Sequence, residues 1–320
     1  MRRVLVLGGT AWLGREIATC AVASQAQVVC LARGESGAPP DGTRLVRADR
    51  DKPGAYDELD GEWDEVIELA YEPAKVGSAL DALAERAHHW TLVSSVSVYR
   101  RNDEPGADES AELVEPEDLT DYAHAKVAAE RATTSRLSDR LLIVRPGLIA
   151  GPGDLSDRFG YWMARLHRGG RVLTPAGEGR HVQVIDVADL ATWIVHAGAT
   201  AQTGTVNAVG ESQEFDDFLG DVRSVTGFTG DLVDVDDAWL LQRAVNYWAG
   251  PRSLPLWLPG ADAAFAQRSN SRYLASGGSL RPLRATISRV RDDEVARGVN
   301  RPRRSGLSIE EETELLDQVR

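Results

Sequence analysis

The chain has 320 residues, 42% of them hydrophobic, which is enough for one large α/β domain and a smaller lobe with a buried core. Its formal net charge of −13 argues against nucleic acid as a partner, because phosphate backbones are bound by basic surfaces. The sequence also lacks the run of ~20 apolar residues that a membrane span needs, so no membrane partner is expected.

The N-terminus places two arginines before a short apolar run that ends at Gly8. This run is shorter than the ~7–15 residues of a signal-peptide core. We therefore expect a buried first strand and a cytoplasmic protein. The two cysteines, Cys20 and Cys30, are predicted to be reduced thiols. Because no cysteine or histidine has the spacing of metal ligands, no metal site is expected.

Short apolar runs alternate with helix-like stretches through the first half of the chain. Strands are predicted at residues 4–7, 28–32, 45–48, 66–69, 91–93 and 141–144, and helices at residues 13–23, 75–87 and 122–137. Strands that are apolar on both faces and alternate with helices are typical of parallel βαβ units. The pattern predicts an α/β fold with a Rossmann-like, doubly wound parallel sheet and a smaller C-terminal α+β substrate lobe.

After residue 145 the alternation is interrupted by glycine and proline. A helix is predicted near residues 159–168, a strand at 182–185, a helix at 187–197 and, after a capping box that starts at Ser308, a last helix to residue 319. Residues 1–150 are assigned to a cofactor-binding domain, to which residues 180–200 return. Residues 151–179 and 201–320 are assigned to the substrate lobe.

The turn after the first predicted strand has the composition of a phosphate-binding loop. It consists of Gly8, Gly9, Thr10, Ala11, Trp12, Leu13 and Gly14. Glycines allow the tight turn and close approach to a pyrophosphate, and the following helix offers free N–H groups to it. Ala11 stands where a third glycine is usual, and its methyl group is the smallest change from that pattern. These seven residues are therefore predicted to bind a dinucleotide.

The end of the second predicted strand indicates which dinucleotide is used. An acidic residue there would bind the adenosine ribose and repel a 2′-phosphate, but the chain has Arg33 instead. Arg33 can pair with a 2′-phosphate, and Arg15 is a second candidate. We therefore expect NADP(H) rather than NAD(H). Asp49, after the third strand, is placed to accept a hydrogen bond from the adenine amino group.

Polar side chains in two segments are candidates for catalysis. Tyr122 and Lys126 are four residues apart and share a helix face, so the ammonium is expected to lower the pKa of the phenol from its usual value of about 10. Lys126 is also expected to bind the nicotinamide ribose. Ser94, Ser95 and Ser97 follow the predicted strand at 91–93, and a serine at that strand end faces the ligand crevice of a doubly wound sheet and can hold a substrate carbonyl.

Together these motifs resemble the extended short-chain dehydrogenase/reductase family, in its NAD-dependent epimerase/dehydratase group. The glycine turn, Ser-Ser-x-x-Val-Tyr at 94–99, Tyr-x-x-x-Lys at 122–126 and Arg-Pro-Gly-Leu-Ile-Ala-Gly-Pro at 145–152 occur in the order of that family. The resemblance implies that Ser95, Tyr122 and Lys126 are catalytic, with Tyr122 as the general acid/base. It also implies a homodimer, since family dimers often pair the helices that here would be residues 75–87 and 122–137.

Two departures from the family pattern concern the substrate. Nucleotide-sugar members have an asparagine after the sixth strand, where this chain has Arg-Pro-Gly at 145–147. They also clamp the diphosphate with an arginine, where this chain has Val182, although Arg180 lies two residues away and could substitute.

These departures favour an NADP(H)-dependent reductase or dehydrogenase that resembles the flavonoid-reductase-like branch and acts on the carbonyl or alcohol of a small, apolar or ring-bearing substrate. An aromatic pocket would suit such a substrate, and aromatic residues are frequent in the second half: Tyr161, Trp162, Trp193, Trp239, Trp248 and Trp257. Two alternatives stay open. One is a nucleotide-sugar epimerase/dehydratase with tightly held NAD(P), and the other is a non-catalytic NADP-binding sensor.

Overall fold

The computed structural model describes residues 1–137 and 139–319. Its strands are β1 Arg3–Leu7, β2 Gln27–Ala32, β3 Thr43–Arg47, β4 Glu65–Glu68, β5 Trp90–Val93, β6 Leu141–Pro146, β7 Leu148–Ala150, β8 Arg171–Pro175, β9 His181–Asp186, β10 Gly204–Ala208, β11 Ser212–Glu214, β12 Asp231–Val235, β13 Asn246–Trp248 and β14 Ser253–Pro255. Its α-helices are α1 Trp12–Ala23, α2 Pro73–Leu83, α3 Tyr122–Leu137, α4 Arg158–Arg168, α5 Val187–Ala199, α6 Phe215–Thr226, α7 Asp237–Gln242, α8 Ser271–Ala275, α9 Leu283–Arg297 and α10 Ile309–Gln318.

A parallel sheet of seven strands forms the centre of the molecule, in the order β10-β6-β5-β4-β1-β2-β3. The side chains of β1 alternate between its two faces. Val4 and Val6 pack with α1 and α5, whereas Leu5 and Leu7 pack with α2 and α3. The predicted doubly wound α/β fold is therefore confirmed. The strand order reverses between β1 and β4, and the crevice at this switch point is where such sheets bind ligands.

A second hydrophobic core lies in the lobe formed largely by the second half of the chain. Helices α4, α6, α9 and α10 surround it, with the β8–β12 pair and a three-stranded sheet of order β11-β9-β7. Its largest buried side chains include Phe159, Trp162, Phe215 and Trp257. β7 is followed by the loop that leads to α4, whereas β9 runs directly into α5.

The division between the two parts of the chain differs from the one assigned from the sequence. Residues 204–208, assigned to the lobe, form β10 at the edge of the central sheet, where Gly204 pairs with Leu142 of β6. Conversely, β9 lies in the three-stranded sheet, and only the following α5 returns to pack on α1. The sequence of β10 is Gly-Thr-Val-Asn-Ala, and only its last three residues are buried. It therefore does not contain the continuous apolar run from which the other strands were predicted.

Among the described residues, none of the helices combines the length and the apolar character that crossing a membrane requires.

Candidate active site

The glycine turn after β1 brings the backbone at the end of β1 into close contact with the first turn of α1. Gly8 has a φ of +100°, a conformation that residues with a side chain rarely adopt. A Cβ on Gly14 would lie 2.4 Å from the carbonyl oxygen of Gly8, so only glycine fits at the first turn of α1. The spacing of these two glycines therefore fixes the start of α1 against the end of β1.

The N-terminus of α1 offers free donors to a ligand. Its N-cap is Ala11, whose methyl group cannot accept a hydrogen bond from the helix. The first intrahelical bond runs from the Arg15 N–H to the Ala11 carbonyl over 2.8 Å. The N–H groups of Trp12, Leu13 and Gly14 therefore have no acceptor within the helix. Since all three residues line a cavity at the switch point, this end of the helix fits the pyrophosphate of a dinucleotide.

A cavity of about 330 Å³ extends from the turn over the ends of β2 and β3. Arg33 and Asp49 both line it, as do Gly8, Thr10 and Ala11. The Arg33 side chain is 60% exposed and lies 3.2 Å from the carboxylate of Glu35. The Asp49 carboxylate accepts a hydrogen bond of 3.1 Å from the Asp51 N–H. The position and lining of this cavity suit the adenosine half of the cofactor.

A second cavity, of about 590 Å³, brings the three predicted catalytic residues together. Ser95, Tyr122 and Lys126 line it with the beginning of α1. Lys126 Nζ donates a hydrogen bond of 2.7 Å to the Val93 carbonyl at the end of β5 and lies 5.7 Å from the centre of the Tyr122 ring. The Ser95 hydroxyl accepts a bond of 3.1 Å from the Ser97 N–H, which fixes its orientation.

The electrostatics of Tyr122 differ from the expectation. Tyr122 is 44% exposed as a whole, but desolvation within the cavity raises the pKa of its phenol, and the hydrogen bond with Ser95 and the charge of Arg158 only partly oppose this effect. The predicted lowering of this pKa by Lys126 was therefore wrong for the cofactor-free protein. Lys126 is itself buried, which lowers its own pKa from 10.5 to about 8 despite the nearby carboxylates of Glu68 and Glu130.

The lowered pKa of Lys126 predicts an alkaline limit to activity. Lys126 is protonated below about pH 8 and loses its charge as the pH rises through that value. We expect kcat/KM of the wild type to fall above about pH 8 for a reaction that uses the charge of Lys126. The Lys126→Arg variant, which stays charged, should not show this fall in kcat/KM at alkaline pH. Lys52→Met, at an exposed position, should still show it. If the fall persists in Lys126→Arg, the titration of another group causes it.

Several residues of this cavity were not identified from the sequence. The Tyr71 ring lies edge-on to the Tyr122 ring, with centroids 5.0 Å apart, and Lys126 Nζ is 4.9 Å from its centre. Its position just after β4, at the switch point, was a usable signal. Arg158 and Phe265 enter the cavity from the lobe, and no motif marked them.

The predicted aromatic pocket is formed only in part. Of the six residues named from the sequence, Trp248 alone lines the catalytic cavity. The others fill cores, apart from Trp239, which packs under the Arg243 guanidinium at 3.9 Å from its ring centre. Trp248 contacts Phe265 edge-on, with ring centroids 5.4 Å apart. These two rings form the aromatic wall of the cavity on the lobe side.

The position expected to clamp a diphosphate has no available arginine. Val182 is buried in the lobe core. Arg180, which could have substituted, donates to both oxygens of the Asp237 carboxylate at 2.6 Å and to the Ala176 carbonyl at 2.5 Å. Because these bonds already occupy its guanidinium, Arg180 does not replace the missing clamp.

Comparison with family models supports the resemblance seen in the sequence. Residues 76–210, which include Ser95, Tyr122 and Lys126, match the model of the NAD dependent epimerase/dehydratase family. No curated protein sequence matches the chain.

Many solved structures share the fold over nearly their whole length. One is a proposed epimerase from Burkholderia cenocepacia, with a TM-score of 0.72, 22% identity and coverage of 92% of this chain and 98% of that one. Another is UDP-N-acetylglucosamine 4-epimerase from Bacillus cereus, with a TM-score of 0.71, 15% identity and coverage of 94% and 99%. A third is UDP-glucuronic acid 4-epimerase from Bacillus cereus in complex with NAD, with a TM-score of 0.69, 14% identity and coverage of 92% and 99%. At these identities the likeness concerns the fold.

Proposed function

We propose that this chain, whose residues 76–210 match the model of the NAD dependent epimerase/dehydratase family, is an NADP(H)-dependent oxidoreductase that reduces a carbonyl group of a small, ring-bearing substrate. The main support is the single cavity that joins the free N-terminus of α1 to Ser95, Tyr122 and Lys126. A sensor needs the dinucleotide site but not the acid/base residues beside it, so this arrangement favours an enzyme.

The roles of the chain's own residues follow from their positions. A bound nicotinamide dinucleotide supplies the hydride. Ser95 holds the carbonyl oxygen of the substrate, and Tyr122 donates a proton to it. A phenol with an ordinary pKa of about 10 is protonated at neutral pH, which is the state required of the acid in a reduction, and desolvation of Tyr122 raises its pKa further. Lys126, held by the Val93 carbonyl, supplies positive charge beside the phenol as the proton leaves.

Reduction is favoured over nucleotide-sugar epimerisation because the chain has no free arginine where the family's nucleotide-sugar enzymes clamp the diphosphate of the substrate. Val182 cannot bind a diphosphate, and Arg180 is committed to Asp237. The family match keeps epimerisation as the second candidate.

The two reactions differ in stoichiometry, since a reductase consumes one NADPH for each carbonyl reduced, whereas an epimerase regenerates a tightly held cofactor. We expect NADPH consumption, followed by its absorbance, with at least one ring-bearing ketone or aldehyde. Turnover of UDP-sugars without added NADPH would instead support the epimerase.

The preference for NADP(H) depends on Arg33, which lines the adenosine cavity at a strand end without an acid. We expect Arg33→Gln to weaken NADPH binding by about tenfold, since a charge-assisted hydrogen bond is worth ~1.5 kcal/mol, and to leave NADH binding unchanged. Calorimetric titration with both cofactors measures this. Arg100→Gln, at another exposed arginine paired with a glutamate, is the matched control. Tighter binding of NADH than of NADPH by the wild type would contradict the assignment.

A further inference from the structure

The lobe side of the catalytic cavity holds one arginine with unused donors. Arg158, the first residue of α4, lines the cavity with Tyr122 and Trp248. Its Nε donates a bond of 3.2 Å to the Ser156 hydroxyl. Neither of its two terminal amino groups donates to any described residue, and no carboxylate among those residues forms an ion pair with it. The two terminal amino groups of the Arg158 guanidinium are therefore available to a ligand.

The position of Arg158 is fixed by its surroundings. The Ser156 hydroxyl, which accepts from Arg158, donates a bond of 2.7 Å to the Asp154 carboxylate. Asp157 has a φ of +60°, which turns the chain into α4, and its buried carboxylate binds Arg301 and the Arg304 N–H. Strained backbone of this kind persists only where the surroundings hold it. The loop before α4 therefore places Arg158 at the cavity without tying up its charge.

The face of the guanidinium is also defined. Its central carbon lies 5.3 Å from the centre of the Trp248 ring, so the cation packs against an aromatic face. Trp248 is itself in a left-handed backbone conformation, with a φ of +67°, which is unusual for a bulky residue. The charge of Arg158 also reaches the catalytic phenol, where it partly opposes the rise in the pKa of Tyr122. A positive group thus lies close to the reacting end of the site.

We propose that Arg158 binds a carboxylate of the substrate, so that the substrate of this site is an oxo or hydroxy acid whose ring or apolar body lies against Trp248 and Phe265. An arginine in a partly buried pocket stays charged, and a planar carboxylate matches its two free terminal amino groups. The nearest acid, Asp154, is occupied by the Ser156 N–H and hydroxyl. The inference depends on the proposed function for the identity of the substrate site, but anion binding can be measured without turnover.

The test uses the full chain saturated with NADPH and two matched pairs of probes, benzoate with benzamide and phenylacetate with phenylacetamide. Calorimetry gives the Kd of each. We expect the carboxylates to bind the wild type at least tenfold more tightly than the amides. Arg158→Gln should abolish this preference by weakening carboxylate binding alone, and Arg158→Lys should retain part of it. Arg136→Gln, which removes an exposed arginine of α3, should match the wild type.

The outcomes separate this inference from the proposed function. Carboxylates that bind no better than amides, or a preference that survives in Arg158→Gln, would overturn the role of Arg158. Unchanged NADPH affinity and circular dichroism show that a variant is folded, and Arg158→Met, which also removes the charge, replaces Arg158→Gln if the latter is not. A carboxylate preference that depends on Arg158, in a protein that reduces no carbonyl, would leave the anion site intact and reject the oxidoreductase.

Discussion

Replacing Tyr122 with phenylalanine is expected to lower kcat for carbonyl reduction by roughly 10²–10⁴-fold, the usual contribution of a positioned general acid. The change removes only the hydroxyl, so the edge-on contact with Tyr71 at 5.0 Å remains. NADPH affinity should therefore be unchanged, because the glycine turn and the adenosine cavity are untouched. Initial rates of NADPH consumption, together with calorimetric titration of the cofactor, measure the two effects separately.

The matched control for this variant is Tyr273→Phe. Tyr273 is buried against Trp193, outside the catalytic cavity, and its hydroxyl donates a bond of 3.0 Å to the Ser279 carbonyl. Its replacement removes a phenol hydroxyl of the same kind without touching the proposed acid, so kcat should be retained. If Tyr122→Phe reduces its best substrate at the wild-type rate, Tyr122 is not the proton donor.

The parts of the site that could be predicted from the sequence depend on local spacing. The glycine turn follows a strand directly, and Tyr122 and Lys126 are one helical turn apart, so their neighbourhood follows from chain geometry alone. Ser95 could be added because the carboxyl ends of parallel strands meet at one edge of the sheet. Most of the central sheet was predictable because its strands, apart from β3 and β10, are clear apolar runs next to a helix.

The rest of the site depends on long-range packing. Arg158 and Trp248 follow Tyr122 by 36 and 126 residues, and nothing near them in the sequence distinguishes them from other arginines and tryptophans. The direction of the Tyr122 pKa shift was mispredicted because helical spacing gives the proximity of Lys126 but not the desolvation of the two groups in the folded cavity. Likewise, Arg180 looked available in the sequence, and only the fold brings Asp237 to its guanidinium.

The largest effect on stability is expected from Glu130, which binds Arg145 beneath the catalytic helix. The Arg145 guanidinium donates to both Glu130 oxygens, at 2.9 and 2.7 Å, and to the Tyr99 hydroxyl at 3.0 Å. Both charged side chains are almost completely buried. Glu130→Ala would leave Arg145 buried without its partner, a change that typically costs about 3–5 kcal/mol. Since total stabilities are about 5–15 kcal/mol, this is a large fraction.

Urea unfolding followed by circular dichroism measures the loss, with Glu115→Ala as the matched control. Glu115 also binds an arginine of α3, Arg131, with two bonds of 2.9 Å, but both side chains are exposed, so its removal should not shift the unfolding midpoint measurably. Equal midpoints for the two variants would contradict the role of burial. The Glu130 carboxylate also supports the charge of Lys126, so a variant that still folds should show the alkaline limit of activity at a lower pH than the wild type.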